Sequence, residues 1–422
     1  VLQNAVAIRV LDQPIGYLPR VIVFARRLLP GLRDGFAVVL AVAGLVLACW
    51  LYVRFGSGNF ARLASTDMYW HVDFESFWQS TVALREGADL YLTGTTAVNL
   101  NPPLLAILML PLAWLQPLAA YHLFALLNLV LIVGSVIAVA ERVRLRPGWA
   151  MVAVGALLAS SPLHGTLALG QVYGLLTAAI TAAWLAQRRG RTVLAGVAVG
   201  LAIALKPSLL PLLAWPALRY RWDTVGAAVT TALAATGLGV LGAGWDATVE
   251  WFGVLHAVRP DGFLDNDSLA CLAVRFGLPT WPGYAVASVL MVITLYRARR
   301  RREMAVWSIT AAALLLAPIA WNNYLVLLAP TVPLLLARGR LTAALPLMTL
   351  PLVGIEWSSL LGTDTLGLLG MSLYCGMLLT YWAVLTFGPA DVPKPRPVTV
   401  SECRRSSVPA SEGRWPEPSR SL

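Results

Sequence analysis

Residues 118–140 read LAAYHLFALLNLVLIVGSVIAVA, a run with no Asp, Glu, Lys or Arg that Glu141-Arg142 then closes. A bilayer core is crossed by roughly 20 apolar residues in a helix, so this stretch predicts a transmembrane helix ending at a basic turn. Further runs of this kind occupy 36–54, 149–163, 172–187, 192–205, 207–219, 223–244, 281–296, 303–317, 323–337, 341–357 and 366–387. The prediction is an all-α polytopic membrane protein, a helical bundle of about 12 transmembrane helices, several of them short for a span. Composition agrees: 58% hydrophobic and 13% charged residues, with a mean hydropathy of +0.71, exceed what a soluble domain carries. No segment is left for a separate soluble domain of ordinary size, so any site must be built from helix ends and loops.

Charge orients the bundle. The formal net charge of +11 comes from thirty arginines and two lysines, Lys206 and Lys394. The arginines sit in short clusters between spans, the positive-inside pattern rather than a nucleic-acid surface. Alternating the loops collects Arg142/Arg144/Arg146, Arg188/Arg189/Arg191, Arg219/Arg221, Arg297 to Arg302 and Arg338/Arg340 on one side. Asp67, Asp73, Glu75, Asp89, Asp246, Glu250, Asp267 and Glu356 fall on the other. This predicts a multi-pass protein of the cell membrane with both termini cytoplasmic and the acidic side facing outward. Residues 1–35 read as a cytoplasmic surface segment, 36–388 as the transmembrane domain, and 389–422, rich in Pro, Ser, Arg and Glu, as a disordered cytoplasmic tail. Cys49, Cys271, Cys375 and Cys403 are scattered, which suggests neither a disulfide framework nor a zinc site.

Two outer loops are long, about 55–117 and 245–280, so function is expected on the outer face. Leu104 to Leu115 is too short and too proline-bounded to span and is read as an interfacial helix, as are Asp246 to Ala257 and Ser268 to Phe276.

The first outer loop carries His71-Val72-Asp73-Phe74-Glu75. Ionisable groups beside a span are costly and as a rule face a cavity, a substrate or a partner. On a helix Asp73 and Glu75 point about 200° apart, so only one of them faces a given cavity. Asp73 is the candidate general base, its pKa open to tuning by burial and by His71; a solvated loop carboxylate is the plainer reading. Further along, Gly87 to Tyr91 and Asn101-Pro102-Pro103 read as turns around an interfacial tyrosine. Gly170-Gln171 lies at the outer end of a hairpin and follows His164. A glutamine there suits sugar hydroxyls or an interhelical bond, and His164 a catalytic role or, more simply, a satisfied interfacial position.

Lys206 interrupts the apolar run from Val193 to Leu218, and Pro207 breaks the helix beside it, so charge and exposed backbone converge. It is read as the cationic partner of an anion, most simply a lipid phosphate, with a snorkelling lysine as the alternative. Asn266-Asp267-Ser268 reads as an N-cap, and Arg275 on the helix that follows is a second candidate phosphate contact. Trp321, Asn322 and Asn323, in the break between two apolar runs, form a candidate sugar-binding edge or part of an aromatic belt.

Taken in order, Asp73 with Phe77, Gly87 to Tyr91, Asn101-Pro102-Pro103, Leu169-Gly170-Gln171, Lys206 with Pro207, Asn266-Asp267-Ser268 and Ala317 to Tyr324 resemble the integral-membrane glycosyltransferases of family 87. That branch of the GT-C superfamily includes polyprenyl-phosphate-mannose-dependent mannosyltransferases of actinobacterial cell envelopes. The chain departs from the pattern at Asn101, where the family has an aromatic, and at Asn323, where it often has histidine.

The resemblance implies a GT-C-type bundle and a hexosyltransferase moving mannose, with inversion, from a polyprenyl-phosphate donor to a glycolipid or glycan acceptor on the extracytoplasmic face. Asp73 would be the base, and Lys206 or Arg275 would meet the donor phosphate. His71, Glu75, Tyr91, His164, Gln171, Trp321, Asn322 and Asn323 would line the sugar and acceptor sites. Membrane lipids are the expected surroundings; nucleic acid, cofactor and resident metal are not expected. Arabinofuranose from the corresponding donor is the competing sugar. A multispan transporter or lipid flippase is the competing class, although transporters place polar groups at the membrane midplane and here the acids lie at the outer edge.

Overall fold

The computed structural model describes residues 62–257, 259–260, 266–301, 303–349 and 365–388, together with positions 39 and 46. The segment 1–35, most of the expected first span, residues 350–357 and the tail 389–422 lie outside the described residues. Among the described residues the protein is helical, and its one extended pairing is an isolated bridge between Asn266 and Trp321.

The chain enters through a 3-10 turn, Met68–His71, started by Asp67, whose side chain accepts from the Tyr69 amide. Helix α1 follows, Val72–Glu86, closed by Gly87 in the left-handed conformation. Helix α2, Pro103–Met109, runs into a 3-10 segment, Leu110–Trp114. Then come α3, Pro117–Arg142; α4, Pro147–Leu158; α5, Ser161–Leu169; α6, Tyr173–Arg188; and α7, Thr192–Leu205. After a 3-10 segment, Pro207–Leu213, follow α8, Trp222–Ala243; α9, Trp245–Ala257; α10, Leu269–Arg275; α11, Thr280–Ala298; and α12, Ala305–Leu316. A 3-10 segment, Asn322–Leu328, leads to α13, Thr331–Leu336; α14, Leu341–Thr349; α15, Thr365–Met371; and α16, Leu373–Phe387.

Among the described residues, only α3 and α8 are long and apolar enough to cross a membrane alone, and α4 with α5 makes a third candidate bent by 52°. Several expected spans are thus present as shorter pieces. The reason is proline: 207–219 resolves into a 3-10 segment holding Pro207 and Pro211 followed by the short helix Ala214–Ala217. Likewise 323–337 divides at Pro330. A proline removes one backbone donor and crowds the preceding turn, so the chain tightens or bends where hydropathy alone reads continuity. The stretches 104–115, 246–257 and 268–276 do form short helices.

Among the described residues, α7 packs most extensively against α8. A side chain at Gly196 would strike the Thr224 carbonyl, and one at Gly200 the Ala228 carbonyl. This is the small-xxx-small contact by which apolar helices approach backbone to backbone. At one end of the bundle the arginine turns meet. Glu303 bridges Arg188 and Arg338, Trp184 donates to the Glu303 carbonyl (3.1 Å) and Arg142 to the Arg188 carbonyl (3.2 Å).

Candidate active site

The site is organised by the way α5 stops. Gly170 takes φ +71, and the Gly170 and Gln171 amides fold back to Leu167 and Thr166 (3.1 and 2.9 Å), a left-handed helix stop. A helix end leaves carbonyls without intrahelical partners. Here the Leu167 carbonyl accepts from the Tyr121 hydroxyl (3.0 Å) and the Ala168 carbonyl from His71 Nδ1 (2.6 Å). The His71 ring lies stacked on Tyr121, centroids 3.6 Å apart, and its Nε2 faces the Ser65 carbonyl (3.3 Å). His71 therefore braces the helix end.

The absent side chain of Gly170 lets Phe74 press directly onto the turn. The next residue, Gln171, is buried, and its Nε2 donates to Asp73 Oδ2 at 2.5 Å. The first turn of α1 is thereby clamped against the α5–α6 turn, with Asp73 at the seam.

Asp73 retains partial exposure as a residue, while protein atoms crowd its carboxylate closely. That desolvation pushes its pKa up to about 6, against the Gln171 hydrogen bond and the Lys206 charge, both of which favour the anion. Lys206 stands where α7 ends. Its φ of −143 and ψ of 90 are the extended conformation that a following proline imposes. The Lys206 Nζ lies 5.2 Å from the centroid of the Tyr324 ring, within cation–π range, and Tyr324 packs on Tyr173 at 4.2 Å. Asp73, Gln171, Lys206, Tyr173 and Tyr324 thus come together from four separate parts of the chain.

The break at 318–324 is held by Asn266. Its Oδ1 accepts from the Ala320 and Ser268 amides (3.0 and 3.2 Å), and the Asp267 amide donates to the Ala320 carbonyl (2.6 Å). Ser268 caps α10. Arg275 is buried, and its guanidinium donates to the Asn266 carbonyl (3.1 Å) and to Ser372 Oγ (3.3 Å); neither bond reaches Asp73 or Lys206. Trp321 lies in the bridge to Asn266. Asn322 is buried, with Oδ1 lacking a hydrogen-bond partner among the described residues. The Asn323 amide fits against Gly165, where any side chain would displace it, and its carbonyl accepts from Thr166 Oγ1 (3.4 Å).

Two candidates have their described contacts elsewhere, and a third, Glu75, points away. Tyr91 donates to the Asn101 carbonyl (2.9 Å) in a separate apolar cluster with Trp251. His164 Nε2 donates back to the Leu158 carbonyl (2.7 Å) across the α4–α5 bend. Glu75 is half-buried on α1, on a different side of the helix from Asp73. Tyr324, beneath Lys206, was read from sequence only as closing the 318–324 break, and Tyr173 behind it was not singled out.

An apolar cleft, lined by Ala153, Leu157, Pro162, Val332 and Tyr381, is bordered by Leu325 and Val326, the residues after Tyr324. Among the described residues no three His, Cys, Asp or Glu side chains are placed to hold a metal ion.

The family model described as Glycosyltransferase family 87 matches residues 99–330, a little over half of the chain. The match takes in Gln171, Lys206 and Tyr324 and begins after Asp73. An alpha-(1->3)-arabinofuranosyltransferase of Mycobacterium tuberculosis is 27% identical over 258 residues, 58% of this chain and 59% of that protein. A polyprenol-phosphate-mannose-dependent alpha-(1-2)-phosphatidylinositol mannoside mannosyltransferase of the same organism is 28% identical over 359 residues, 74% of this chain and 82% of that protein. An alpha-(1->3)-arabinofuranosyltransferase of Corynebacterium glutamicum is 27% identical over 191 residues, 40% of this chain and 43% of that protein. The chain spans about three fifths of the length of the first of these relatives.

Proposed function

Because this chain belongs to glycosyltransferase family 87, we propose that it is a membrane enzyme transferring a sugar from a polyprenyl-phosphate donor to a glycolipid or glycan acceptor. The observation that carries this reading is a desolvated carboxylate, Asp73, held by Gln171 within reach of the Lys206 charge.

Asp73, poised near neutral pH, accepts the proton of the acceptor hydroxyl. The hydroxyl oxygen attacks the anomeric carbon, the bond from that carbon to the phosphate oxygen breaks, and polyprenyl phosphate leaves with the electron pair, inverting the centre. Lys206 holds the phosphate and balances the charge that grows on it as the bond breaks. The buried Asn322 Oδ1 is suited to accept from a sugar hydroxyl, which would relieve the cost of an unmatched acceptor, about 1–3 kcal/mol. The isoprenoid chain would follow the apolar cleft beside Leu325 and Val326.

The arginine turns meeting at one end of the bundle support a cytoplasmic placement for that end. The site would then face outward, with both termini cytoplasmic. Mannose is the first reading of the sugar, because the mannosyltransferase relative aligns over the longer stretch, 74% of this chain. Arabinofuranose is the second, because relatives from three organisms carry that activity in their names.

The test is to incubate membranes carrying the chain with polyprenyl-phosphate mannose and with decaprenyl-phosphate arabinofuranose, each offered with candidate lipid acceptors. Transfer from one donor that Asp73→Asn abolishes, with protein level unchanged, supports the reading. Transfer from neither donor, or undiminished transfer by the variant, overturns it.

A further inference from the structure

Gln171 is the residue whose role the reaction above leaves open. A glutamine at a site that handles sugars ordinarily offers its amide to hydroxyls, but here Nε2 is spent on Asp73 Oδ2 at 2.5 Å. The bond is not a chance meeting of two mobile side chains. Gln171 is buried and follows directly on Gly170, which the left-handed stop and the contact with Phe74 fix in place. Phe74 is the neighbour of Asp73, and His71, two residues earlier, is tied to the Ala168 carbonyl (2.6 Å). Three successive ties therefore set the α5–α6 turn against the first turn of α1, and the amide–carboxylate bond lies at their centre.

From this geometry we propose that Gln171 is a positioning residue for Asp73: it holds Oδ2, so that Oδ1, which accepts none of the described hydrogen bonds, is the oxygen presented to the acceptor hydroxyl. The assignment rests on Asp73 acting as the base. Fixing one oxygen of the carboxylate removes a rotational freedom that would otherwise have to be lost on reaching the transition state. It also biases the group toward its anion, because a donor aimed at a carboxylate stabilises the charged form. Lys206 from the end of α7 acts in the same direction, and Tyr173 on α6 also faces Asp73. Tyr324 lies beyond Tyr173, Tyr121 on α3 backs His71 and Phe74, and His71 and Glu75 flank Asp73 in the sequence.

The proposal can be tested without knowing the sugar. The carboxylic C=O stretch of Asp73 is followed by infrared difference spectroscopy as pH is stepped, in the full-length protein in lipid, and assigned by its loss in Asp73→Asn. The wild-type midpoint is expected near pH 6. Gln171→Leu, which keeps the bulk and removes the donor, should raise it by about one unit or more. Gln171→Lys, which restores a donor, should return it to the wild-type value or below. A purely structural glutamine would give variants that share one midpoint, and that result overturns the proposal.

With whichever donor transfers, the acid limb of kcat/KM should move by the same interval in Gln171→Leu while KM for the donor stays level. A raised KM with an unmoved limb would mean that Gln171 binds sugar. If Asp73→Asn transfers sugar as well as wild type, the base reading fails by itself, whatever the infrared midpoints show.

Discussion

Lys206 Nζ rests 5.2 Å from the centre of the Tyr324 ring, and its charge bears on Asp73. A cation above an aromatic face is held without losing its charge to a carboxylate partner, so it can serve a second anion. Lys206→Met should raise KM for the donor at least about tenfold, the effect of losing one charge-assisted contact. It should also move the acid limb of the rate profile upward, since Asp73 loses a cation that favours its anion. Lys206→Arg should restore the pH limb better than the KM, because a planar fork replaces a point charge. An unchanged KM in Lys206→Met would place the phosphate elsewhere.

The rate itself should follow the ionisation of Asp73. Its pKa is raised from 3.8 to about 6, and a general base works only when deprotonated. Transfer should therefore be weak at pH 5, climb through about pH 6 and level off above pH 7, as a kcat/KM profile would show. Asp73→Asn should lower the plateau by about 10² to 10⁴.

Stability should move the opposite way. A carboxyl with a raised folded pKa binds more protons folded than unfolded, so its favourable contribution is complete below about pH 3.8 and is lost as pH rises through about 6. At pH 7.5 Asp73→Asn should therefore unfold at a higher temperature than wild type, and at pH 4 the two should converge. Thermal scans in detergent at both pH values measure this. A variant less stable than wild type at pH 7.5 would mean that the ionised carboxylate stabilises the fold.

Gly170→Ala combines two costs. A residue with a Cβ at φ +71 is strained by about 1–2 kcal/mol, and that Cβ meets Phe74. Both should appear as a lower unfolding temperature and as lost transfer, because Gln171 is carried away with the turn. Adding Phe74→Ala should give little recovery, because the atom struck is the Phe74 Cβ, which alanine keeps.

Arg275 is expected to matter for folding and little for donor affinity. Its bonds to Asn266 and Ser372 join the start of α10 to the start of α16. Arg275→Met should cost about 1.5–3 kcal/mol of stability with KM for the donor within about twofold of wild type. A tenfold rise in KM at unchanged stability would return Arg275 to the phosphate site.

Much of this arrangement was legible in the residues. The 192–205 helix, the arginine turns and the short helices within 104–115, 246–257 and 268–276 follow from hydropathy period and charge, which act locally. Asp73, Gln171 and Lys206 were each visible as polar groups out of place in an apolar chain. Hidden was their mutual distance, because the contact between α1 and the α5–α6 turn joins residues 98 positions apart through a missing side chain at Gly170. His71, Tyr91 and Arg275 looked like ligand contacts for the same reason that they are buried. A polar side chain inside an apolar bundle must be bonded, and sequence does not say whether a backbone carbonyl or a ligand satisfies it. Helix continuity was the least legible feature, since proline breaks divide runs that hydropathy joins.

The glycine seam between α7 and α8 reaches further than the two helices it joins. Lys206 terminates α7, six residues beyond Gly200, so the interlock at Gly196 and Gly200 fixes both how deep the ammonium group sits and which way it turns. A slip of one position along that seam would carry the cation about 1.5 Å along the axis and swing it by about 100°, off the tyrosine face altogether. The aim of the charge is thus set from within the helix pair, six residues back along α7.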